Sequence, residues 1–377
     1  MTKKILFFTL VISCFGYTQD QYNSASTQLN KLLSTESGLS IGGYGEVTYN
    51  NLEDSSTPAE IDVQRFVMLF AYKFDDRTSF VTEIEFEHVK EVYVEQAFVN
   101  YSVADGVNLR GGLMLVPMGI INEYHEPTTY NGVERPSLDN FVVPSTWREM
   151  GLGVSGRVNS ASLRYQAYLM NGFLSYGESH KLRGSDGLRN GSQKGAESVA
   201  SDANFAGRVE YYGLPKLKLG LSYYAGNTQT TIPEQINTQV GLSMFGFDYR
   251  YVNGRLSSRG QLIAASLSDT EAYNLAGTTD LGSAMGGYYI EGAYNLLPID
   301  RSQKLDLFLR YENFNTHQKT AGSLIANDAY HRNETTFGLS YHIANGAVFK
   351  IDYQSKATAV DGSAAVGQLN MGLGVFF

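Results

Sequence analysis

The chain has 377 residues, enough for two soluble domains, and it is rich in glycine and tyrosine, with 39 Gly and 26 Tyr against 8 Pro and 1 Trp. Its formal net charge of −9 argues against nucleic acid as a partner, because phosphate backbones are bound by basic surfaces. No apolar run reaches the roughly 18–20 residues that a membrane-spanning helix needs. A barrel with one apolar and one polar face would also have a polar average, so these numbers do not exclude a membrane protein.

The first 18 residues predict a secretory signal peptide. Lys3 and Lys4 form a basic start, residues 5–15 form an apolar core, and small residues follow before the expected cleavage. Cys14 lies inside this leader, in a stretch that also weakly resembles a lipoprotein cleavage box. Without the leader the chain would contain no cysteine, and its formal charge would fall from −9 to −11 because both lysines are lost.

Residues 19–40 predict a polar N-terminal lead. They are rich in Ser, Asn and Gln, and Leu29, Leu32 and Leu33 have helical spacing, so this part is either a flexible lead or one short helix. From residue 41 to residue 377 the pattern changes to period two, which indicates strands with one apolar and one polar face.

Seven strands are predicted in the first half of this region. Phe66, Met68 and Phe70 share one face of the second strand, whereas Arg65 lies on the other face. The fourth strand alternates less regularly. In chain order the seven strands cover 41–50, 61–74, 78–88, 91–103, 107–116, 146–158 and 161–172.

Nine further strands complete the chain. Asn253 and Gly254 form a strong hairpin signal between two of them. The last strand alternates strictly and ends on Phe377, and a terminal phenylalanine on such a strand is typical of bacterial outer-membrane barrels. The nine strands cover 204–212, 217–226, 239–252, 255–267, 284–296, 304–315, 333–343, 347–357 and 366–377.

The connections between these strands indicate how they are arranged. Short turns follow most even-numbered strands, longer connections follow most odd-numbered strands, and the two longest follow strands five and seven. Bacterial barrels have short periplasmic turns and longer outer loops in this alternation. The sequence therefore predicts an all-β, transmembrane antiparallel β-barrel of 16 strands, surrounded by lipid in the outer membrane of a Gram-negative bacterium. Fourteen or eighteen strands and a soluble all-β protein are the alternatives.

A barrel of this size encloses an aqueous channel, so its inward residues should be polar. Charged side chains of both signs are assigned to the inner wall, where they can select solutes by charge or can simply be solvated or paired with one another. The predicted pore-lining residues are Arg65, Arg110, Arg157, Arg164, Arg208, Arg310, Glu83, Glu85 and Glu87.

The connection 117–145, after strand five, is the candidate constriction. Three prolines in its first part and Pro144 stiffen its backbone, and Ile120, Ile121 and Tyr124 are expected, with Tyr130, to anchor it against the wall. Its charged residues, which make it net acidic, are Glu123, Glu126, Glu134, Arg135 and Asp139.

Several segments resemble the phosphate-selective porin O and P family. They are Gly-Val-Glu-Arg-Pro at 132–136, the Pro-Ser-Thr-Trp-Arg-Glu-Met-Gly run that begins 144–157, and Arg-Tyr-Gln-Ala-Tyr-Leu-Met-Asn-Gly at 164–172, with weaker likeness from 64–66 through 95–97. The resemblance covers roughly residues 41–226. It implies a homotrimeric, sixteen-stranded outer-membrane channel with an inward third loop, which in the best-known members passes phosphate along an arginine ladder and loop lysines.

The resemblance does not extend to the expected anion site. The connection 117–145 contains no lysine and is acidic, and carboxylates repel phosphate. The function predicted is therefore passive diffusion of small hydrophilic solutes or ions, with phosphate or other anions as one option. Neutralising Glu123, Glu126 and Glu134 is expected to shift the pore toward anions.

The alternatives are an adhesin or structural barrel and a barrel hydrolase. Ser340 and His342 share a face of one strand, which is suggestive of a hydrolase but common by chance, and no nucleophile motif surrounds any serine. The six histidines and the acidic loops lack metal-ligand spacing, so neither a metal nor another cofactor is predicted.

Overall fold

The structure is a computed structural model that describes residues 38–54, 56–232 and 237–377. The predicted signal peptide 1–18 and most of the predicted lead 19–40 lie outside the described residues. The first strand begins at Gly38, so the last three residues assigned to the lead belong to the barrel.

The described residues form eighteen strands, nearly all at the predicted positions. In chain order they are β1 (Gly38–Leu52), β2 (Glu60–Lys73), β3 (Thr78–Glu87), β4 (Glu91–Ala104), β5 (Val107–Leu115), β6 (Arg148–Val158), β7 (Leu163–Met170), β8 (Leu174–Tyr176), β9 (Asn204–Leu214), β10 (Leu217–Asn227), β11 (Gln229–Thr230), β12 (Gly241–Asn253), β13 (Leu256–Leu267), β14 (Ala284–Asn295), β15 (Lys304–Lys319), β16 (His331–Ala344), β17 (Ala347–Thr358) and β18 (Val366–Phe376).

Sixteen of these strands form one closed antiparallel barrel, as the sequence predicts. Each strand pairs with its neighbours in chain order, and β1 closes the cylinder on β18 with Tyr44 opposite Phe376 and Leu52 opposite Gln368. Closure leaves no barrel strand with an unpaired edge, which is what strands need when they are surrounded by lipid. The two remaining strands, β8 and β11, were not predicted and pair in parallel within the connections.

The connections differ in length on the two rims of the barrel. Turns such as 105–106, 254–255 and 345–346 join strands on one rim, whereas the long connections 116–147 and 171–203 lie on the other. This alternation assigns the first rim to the periplasm and the second to the outside. The connections also contain two α-helices, α1 (Leu138–Phe141) and α2 (Thr270–Gly277), and three short 3₁₀ helices (Asn159–Ala161, Arg189–Gly191 and Asp328–Tyr330). In the described part of the chain, no helix is long and apolar enough to cross a membrane.

The two faces of the strands differ in chemistry. On β18, Met371, Leu373 and Val375 point outward and are exposed, whereas Asn370 points inward and is fully buried. The same alternation runs round the barrel and gives an apolar outer band. Outward aromatic rings are paired across neighbouring strands, for example Phe66 of β2 with Phe86 of β3 at 6.5 Å between ring centroids. An apolar band with aromatic residues is the surface that a barrel presents to lipid.

The interior is less uniformly polar than the sequence analysis expected. A cluster of buried apolar side chains, among them Leu69, Phe98, Trp147 and Phe173, lies inside the barrel under the two long connections. Trp147 stacks on Phe173 with 4.2 Å between the ring centroids, so the two connections pack on each other. The expectation of a wholly aqueous interior was wrong in this sector, because connections that fold inward need an apolar surface to pack against.

Candidate functional site: the barrel lumen

The connection 116–147 folds into the lumen, as predicted for the third loop. Its backbone reaches strands far from its own anchor points on β5 and β6. The N–H of Ile120 donates to Oε1 of Gln261 on β13 at 2.5 Å, and the N–H of Val133 donates to Oδ2 of Asp352 on β17 at 2.6 Å. Ile120, with its neighbour Ile121, is buried, which confirms its predicted anchoring role. We call this connection the constriction loop.

Asn122 fixes the base of the constriction loop. Its side-chain amide donates to the carbonyls of Val116 at 2.7 Å and Trp147 at 2.9 Å, and its Oδ1 accepts from the Trp147 N–H at 2.6 Å. The Trp147 indole in turn donates to Glu149 at 3.1 Å, and Glu149 accepts from Asn171 at 2.6 Å. These contacts give the Trp-Arg-Glu stretch of the family resemblance a structural role, which is to hold both ends of the loop together.

Two cavities lie on opposite sides of the constriction loop. On the outer side lies a cavity of about 1130 Å³, whose wall includes Glu134 and Arg135 of the loop. On the periplasmic side lies a cavity of about 430 Å³, whose wall includes Glu123. We call them the outer and the inner vestibule. The loop therefore lies at the depth where a solute passing through the barrel would meet it.

Three of the five predicted loop charges border these vestibules. Glu123 forms an ion pair with Arg208 on the inner side, with 3.2 Å between Oε2 and Nε. On the outer side, Glu134 accepts from the Asn50 amide at 2.7 Å, and Arg135 donates to a backbone carbonyl of the loop at 2.8 Å. Each of the three is therefore held in place and still borders open space.

The other two predicted loop charges do not face either vestibule. Glu126 and Asp139 are fully buried between the loop and the wall. Asp139 Oδ1 accepts from the Gln261 amide at 2.8 Å, while Oδ2 forms no hydrogen bond to the described residues. Burial raises the pKa of Asp139 to about 7, although the Gln261 hydrogen bond and the charge of Arg259 lower it. These two side chains belong to the anchor of the loop.

Arg65, the predicted arginine in the outer half of the wall, is paired with carboxylates. Arg65 on β2 is 2.8 Å from Glu46 and 3.2 Å from Glu85, and Glu87 lies at 4.0 Å. Arg65 and Glu85 are almost fully buried, whereas Glu87 is partly exposed to the outer vestibule. The four side chains form one network that extends across β1, β2 and β3.

The buried arginines opposite the loop are paired as well. Arg208 makes a two-fold contact with Asp248 at 2.6 and 2.9 Å. Arg310 pairs with Glu312 at 2.9 Å and donates to the carbonyl of Glu134 at 3.2 Å, so it also holds the constriction loop. A guanidinium that already binds a carboxylate is a weaker site for a second anion.

Arg110, Arg157 and Arg164 have a different environment. All three line the inner vestibule. Arg110 donates to the Asn100 side chain at 3.0 Å, and Arg164 donates to the Tyr124 hydroxyl at 3.0 Å. Burial alone would raise the pKa of Tyr124, but nearby guanidinium groups, Arg164 among them, lower it to about 8.

Charges of the two signs are balanced in both vestibules. Seven acidic and seven basic side chains line the outer vestibule, and three of each line the inner one. The inner set consists of Glu83, Asp105, Glu123, Arg110, Arg157 and Arg164. A balanced lining produces little net potential along the path, although it produces strong local fields across it.

Glu83, which was predicted to line the pore, also belongs to a buried cluster that the sequence did not reveal. The other members are Glu95 on β4 and His125 in the constriction loop. The three residues are far apart in the sequence, and the only sequence signal was the irregular alternation of the fourth strand. Lys350 was also missed, and its ammonium lies 3.9 Å from the centroid of the Tyr130 ring, below the loop.

The predicted association of Ser340 with His342 does not form a nucleophile–base pair. His342 Nε2 lies 3.7 Å from Asp306, and the Ser340 hydroxyl makes no hydrogen bond within the described part of the chain. A nucleophilic serine needs a base within hydrogen-bond distance. The geometry gives no support to a hydrolase at this position.

The closed sixteen-stranded barrel, its apolar outer band and its inward loop define the class of the protein as an outer-membrane barrel with the porin architecture, located in the outer membrane of a Gram-negative bacterium. Solved structures agree with this fold. Salmonella typhi OmpF in complex with daunomycin matches with a TM-score of 0.59 and 10% identity over 90% of this chain and 97% of that one. Pseudomonas putida OprB matches with a TM-score of 0.58 and 10% identity over 94% of this chain and 97% of that one. An anion-selective porin from Comamonas acidovorans matches with a TM-score of 0.58 and 13% identity over 91% of this chain and 100% of that one.

A relative in Aquifex aeolicus (strain VF5), described as an uncharacterized protein, is 31% identical over 356 residues, which cover 88% of this chain and 79% of the relative. The chain belongs to the same family as this Aquifex protein. No protein-family model matches the chain.

Proposed function

We propose that the protein is a porin that forms a water-filled channel for passive diffusion of small hydrophilic solutes and ions. The observation that carries this proposal is the pair of polar vestibules, of about 1130 and 430 Å³, on the two sides of the constriction loop. Barrels of sixteen strands are wide enough for an aqueous path when loops do not fill them. The porin fold of the neighbouring solved structures supports the same function.

The channel is proposed to be weakly selective by charge. Equal numbers of acidic and basic side chains line each vestibule. The buried arginines Arg65, Arg208 and Arg310 already bind carboxylates, which leaves no continuous arginine ladder of the kind that the family resemblance implied. Phosphate and other anions are therefore proposed to pass as ordinary small solutes, with the three arginines of the inner vestibule as their preferred contact.

Planar-bilayer recording of the purified, refolded protein tests this function. Addition of the protein should produce stepwise conductance increases in potassium chloride, and a salt gradient should give a reversal potential near zero. Replacing chloride by phosphate should lower the conductance without blocking the channel. An intact barrel that inserts without conductance steps would favour the adhesin or structural alternative, and block of the chloride current by low phosphate concentrations would favour a phosphate-selective channel.

We also propose that the protein is a homotrimer. The family resemblance implies this assembly, and OmpT of Vibrio cholerae, whose structure in its trimer form matches with a TM-score of 0.56 and 11% identity over 91% of this chain and 100% of that one, supports it. Light scattering coupled to size-exclusion chromatography in detergent should give three chains per particle. A particle with one chain would contradict the trimer and leave the channel proposal intact.

A further inference from the structure

Three buried side chains from three segments meet behind the constriction loop. Glu83 lies on β3, Glu95 lies on β4, and His125 belongs to the loop that packs over them. One ligand atom of each, a carboxylate oxygen or an imidazole nitrogen, lies within 4.8 Å of the other two. Their exposed fractions are 2%, 0% and 0%. We call this group the Glu83–Glu95–His125 cluster.

A β-bulge brings Glu95 into the cluster. Glu83 is opposite Gln96 and Ile84 is opposite Val94, so Glu95 is the extra residue of β4 and has no partner on β3. The bulge turns Glu95 and Gln96 toward the lumen in succession, where regular alternation would have placed one of them in lipid. Bulges of this kind are common next to functional sites, where they change the direction in which a side chain points.

The polar groups of the cluster are incompletely satisfied by the protein. Glu83 Oε2 forms no hydrogen bond to the described residues, although it is buried. Glu95 Oε1 also accepts no hydrogen bond from the described residues, although it lies 3.3 Å from His125 Nε2 as an ion-pair partner. Two buried carboxylates with open oxygens are costly unless a positive charge lies between them.

The nearby guanidinium groups do not supply that charge directly. Arg65 is hydrogen-bonded to Glu46 and Glu85, outside the cluster. Arg148 donates to the carbonyl of Thr146 at 3.3 Å. The charge of the cluster is therefore balanced by a protonated carboxyl, by a protonated His125 or by a bound cation.

The orientation of His125 is compatible with a bound cation. Nδ1 lies 3.1 Å from the carbonyl of Asn122, and a carbonyl can only accept, so Nδ1 carries the proton. In the neutral ring Nε2, which points toward Glu95, can only accept, and the Tyr44 hydroxyl lies within hydrogen-bond distance of it. A carbonyl bound to one ring nitrogen is the usual partner that fixes a histidine as a metal ligand through the other. The Tyr44 hydroxyl, 2.9 Å from Nε2 and 3.1 Å from Glu95 Oε2, completes the polar surroundings.

We propose that Glu83, Glu95 and His125 form a divalent-cation site that binds Zn²⁺ and fastens the constriction loop to the barrel wall. One imidazole and two carboxylates suit Zn²⁺, whereas Ca²⁺ and Mg²⁺ prefer oxygen ligands alone. A small adjustment of the side chains brings all three ligand atoms to bonding distance, and solvent takes the fourth position. The site does not depend on the proposed conduction, and its test measures binding directly.

The test uses the full chain without a histidine tag, refolded into detergent in the presence of EDTA and then freed of chelator. Competition with a fluorescent zinc indicator should give one Zn²⁺ per chain. Glu95→Gln and His125→Gln should each weaken binding at least tenfold. Glu91→Gln, on the same strand, and His331→Gln, at a distant site, should bind as the unmodified protein does. A hundredfold excess of Ca²⁺ should not displace the zinc.

Folding of each variant is checked by the heat-dependent electrophoretic mobility of the barrel, and Glu83→Gln is a second probe if one variant does not fold. A measurement without variants is the visible spectrum after addition of Co²⁺, which should show the absorption of a low-symmetry site with nitrogen and oxygen ligands. The site would be overturned if zinc did not bind stoichiometrically, or if Glu95→Gln and His125→Gln bound zinc as tightly as the unmodified protein does. The cluster would then be an ion pair of protonated His125. An octahedral, fully hydrated Co²⁺ spectrum would overturn the site as well.

Discussion

Asp139 shows how burial of a single carboxyl makes the anchoring of the constriction loop depend on pH. Its pKa is raised from 3.8 to about 7, mainly by burial, with Asp248 raising it further and Arg259 and Arg310 opposing the shift. The folded protein therefore keeps a proton that the unfolded chain releases between about pH 4 and pH 7. Stability from this group is complete below about pH 4 and is lost as the pH rises through 7.

Asp139→Asn should remove this pH dependence. The amide is neutral at every pH and keeps an oxygen for the hydrogen bond from Gln261. At pH 8 we expect the variant to be more stable than the unmodified protein by up to about 4 kcal/mol, the value of roughly three pKa units. Thermal unfolding in detergent between pH 5 and 8.5 measures this stability difference, with Asp361→Asn, at an exposed position between β17 and β18, as the control. A parallel pH profile for Asp139→Asn and the unmodified protein would contradict the assignment.

The loop carboxylates differ in what they should do to selectivity. Glu134 borders the outer vestibule, whereas Glu126 is fully buried. Glu134→Gln should therefore shift the reversal potential toward anion selectivity, because one negative charge is removed from the vestibule wall. Glu126→Gln should leave the reversal potential nearly unchanged. Bilayer recordings under a tenfold salt gradient distinguish the two. An equal shift in both variants would mean that the loop opens in the membrane and exposes Glu126.

At the scale of elements, the constriction loop depends on the side chain of Asn122. Asn122→Ala removes three buried hydrogen bonds and leaves the Val116 carbonyl and both backbone groups of Trp147 less satisfied, which should cost about 2–4 kcal/mol of local stability. We expect faster cleavage of the loop by added protease and noisier single-channel currents. Asn140→Ala, in the wall of the outer vestibule, is the matched control. Similar protease resistance of the two variants would show that the loop is held by its apolar contacts alone.

The elements were predictable where a local pattern determines them. Period two located the barrel strands because one face meets lipid and the other meets a polar interior, and Asn253 with Gly254 marked a turn through backbone chemistry. The parallel pair β8 and β11 was not predictable, because two short strands that pair across a long connection carry no periodic signal. The bulge at Glu95 appeared in the sequence only as irregular alternation, since the register of a bulge is set by the neighbouring strand.

At the scale of the whole molecule, the even strand number and the alternation of connection lengths were enough to predict a closed barrel. The interior was harder to predict, because which inward side chains meet is decided by the path of the constriction loop. Arg310 illustrates this. Its inward direction followed from the alternation of β15, but its contact with the carbonyl of Glu134 depends on where the loop crosses the lumen. The Glu83–Glu95–His125 cluster depends on the same crossing, whereas Arg65 and Arg208 pair with carboxylates of neighbouring wall strands.

The seam between β1 and β18 is where the barrel closes, and Phe377 is its last contributor. The backbone of Phe377 exchanges two hydrogen bonds with Gly43, at 3.0 and 2.9 Å, and its ring packs on Phe66 of β2. Phe377→Ala should cost about 1–2 kcal/mol through the ring alone. Deletion of Phe377 should cost about 1–3 kcal/mol more, because two backbone groups of Gly43 then lose their partners.

Refolding into detergent at increasing urea concentrations, followed by the heat-dependent mobility shift, separates these contributions. Phe349→Ala removes another lipid-exposed ring, near the start of β17, and controls for lost apolar contact with detergent. We expect Phe349→Ala and Phe377→Ala to have similar stability and the deletion variant to be clearly less stable than both. If the deletion were as stable as Phe377→Ala, the last residue would not contribute to closure, and the seam would be held by the pairs from Tyr44 with Phe376 onward.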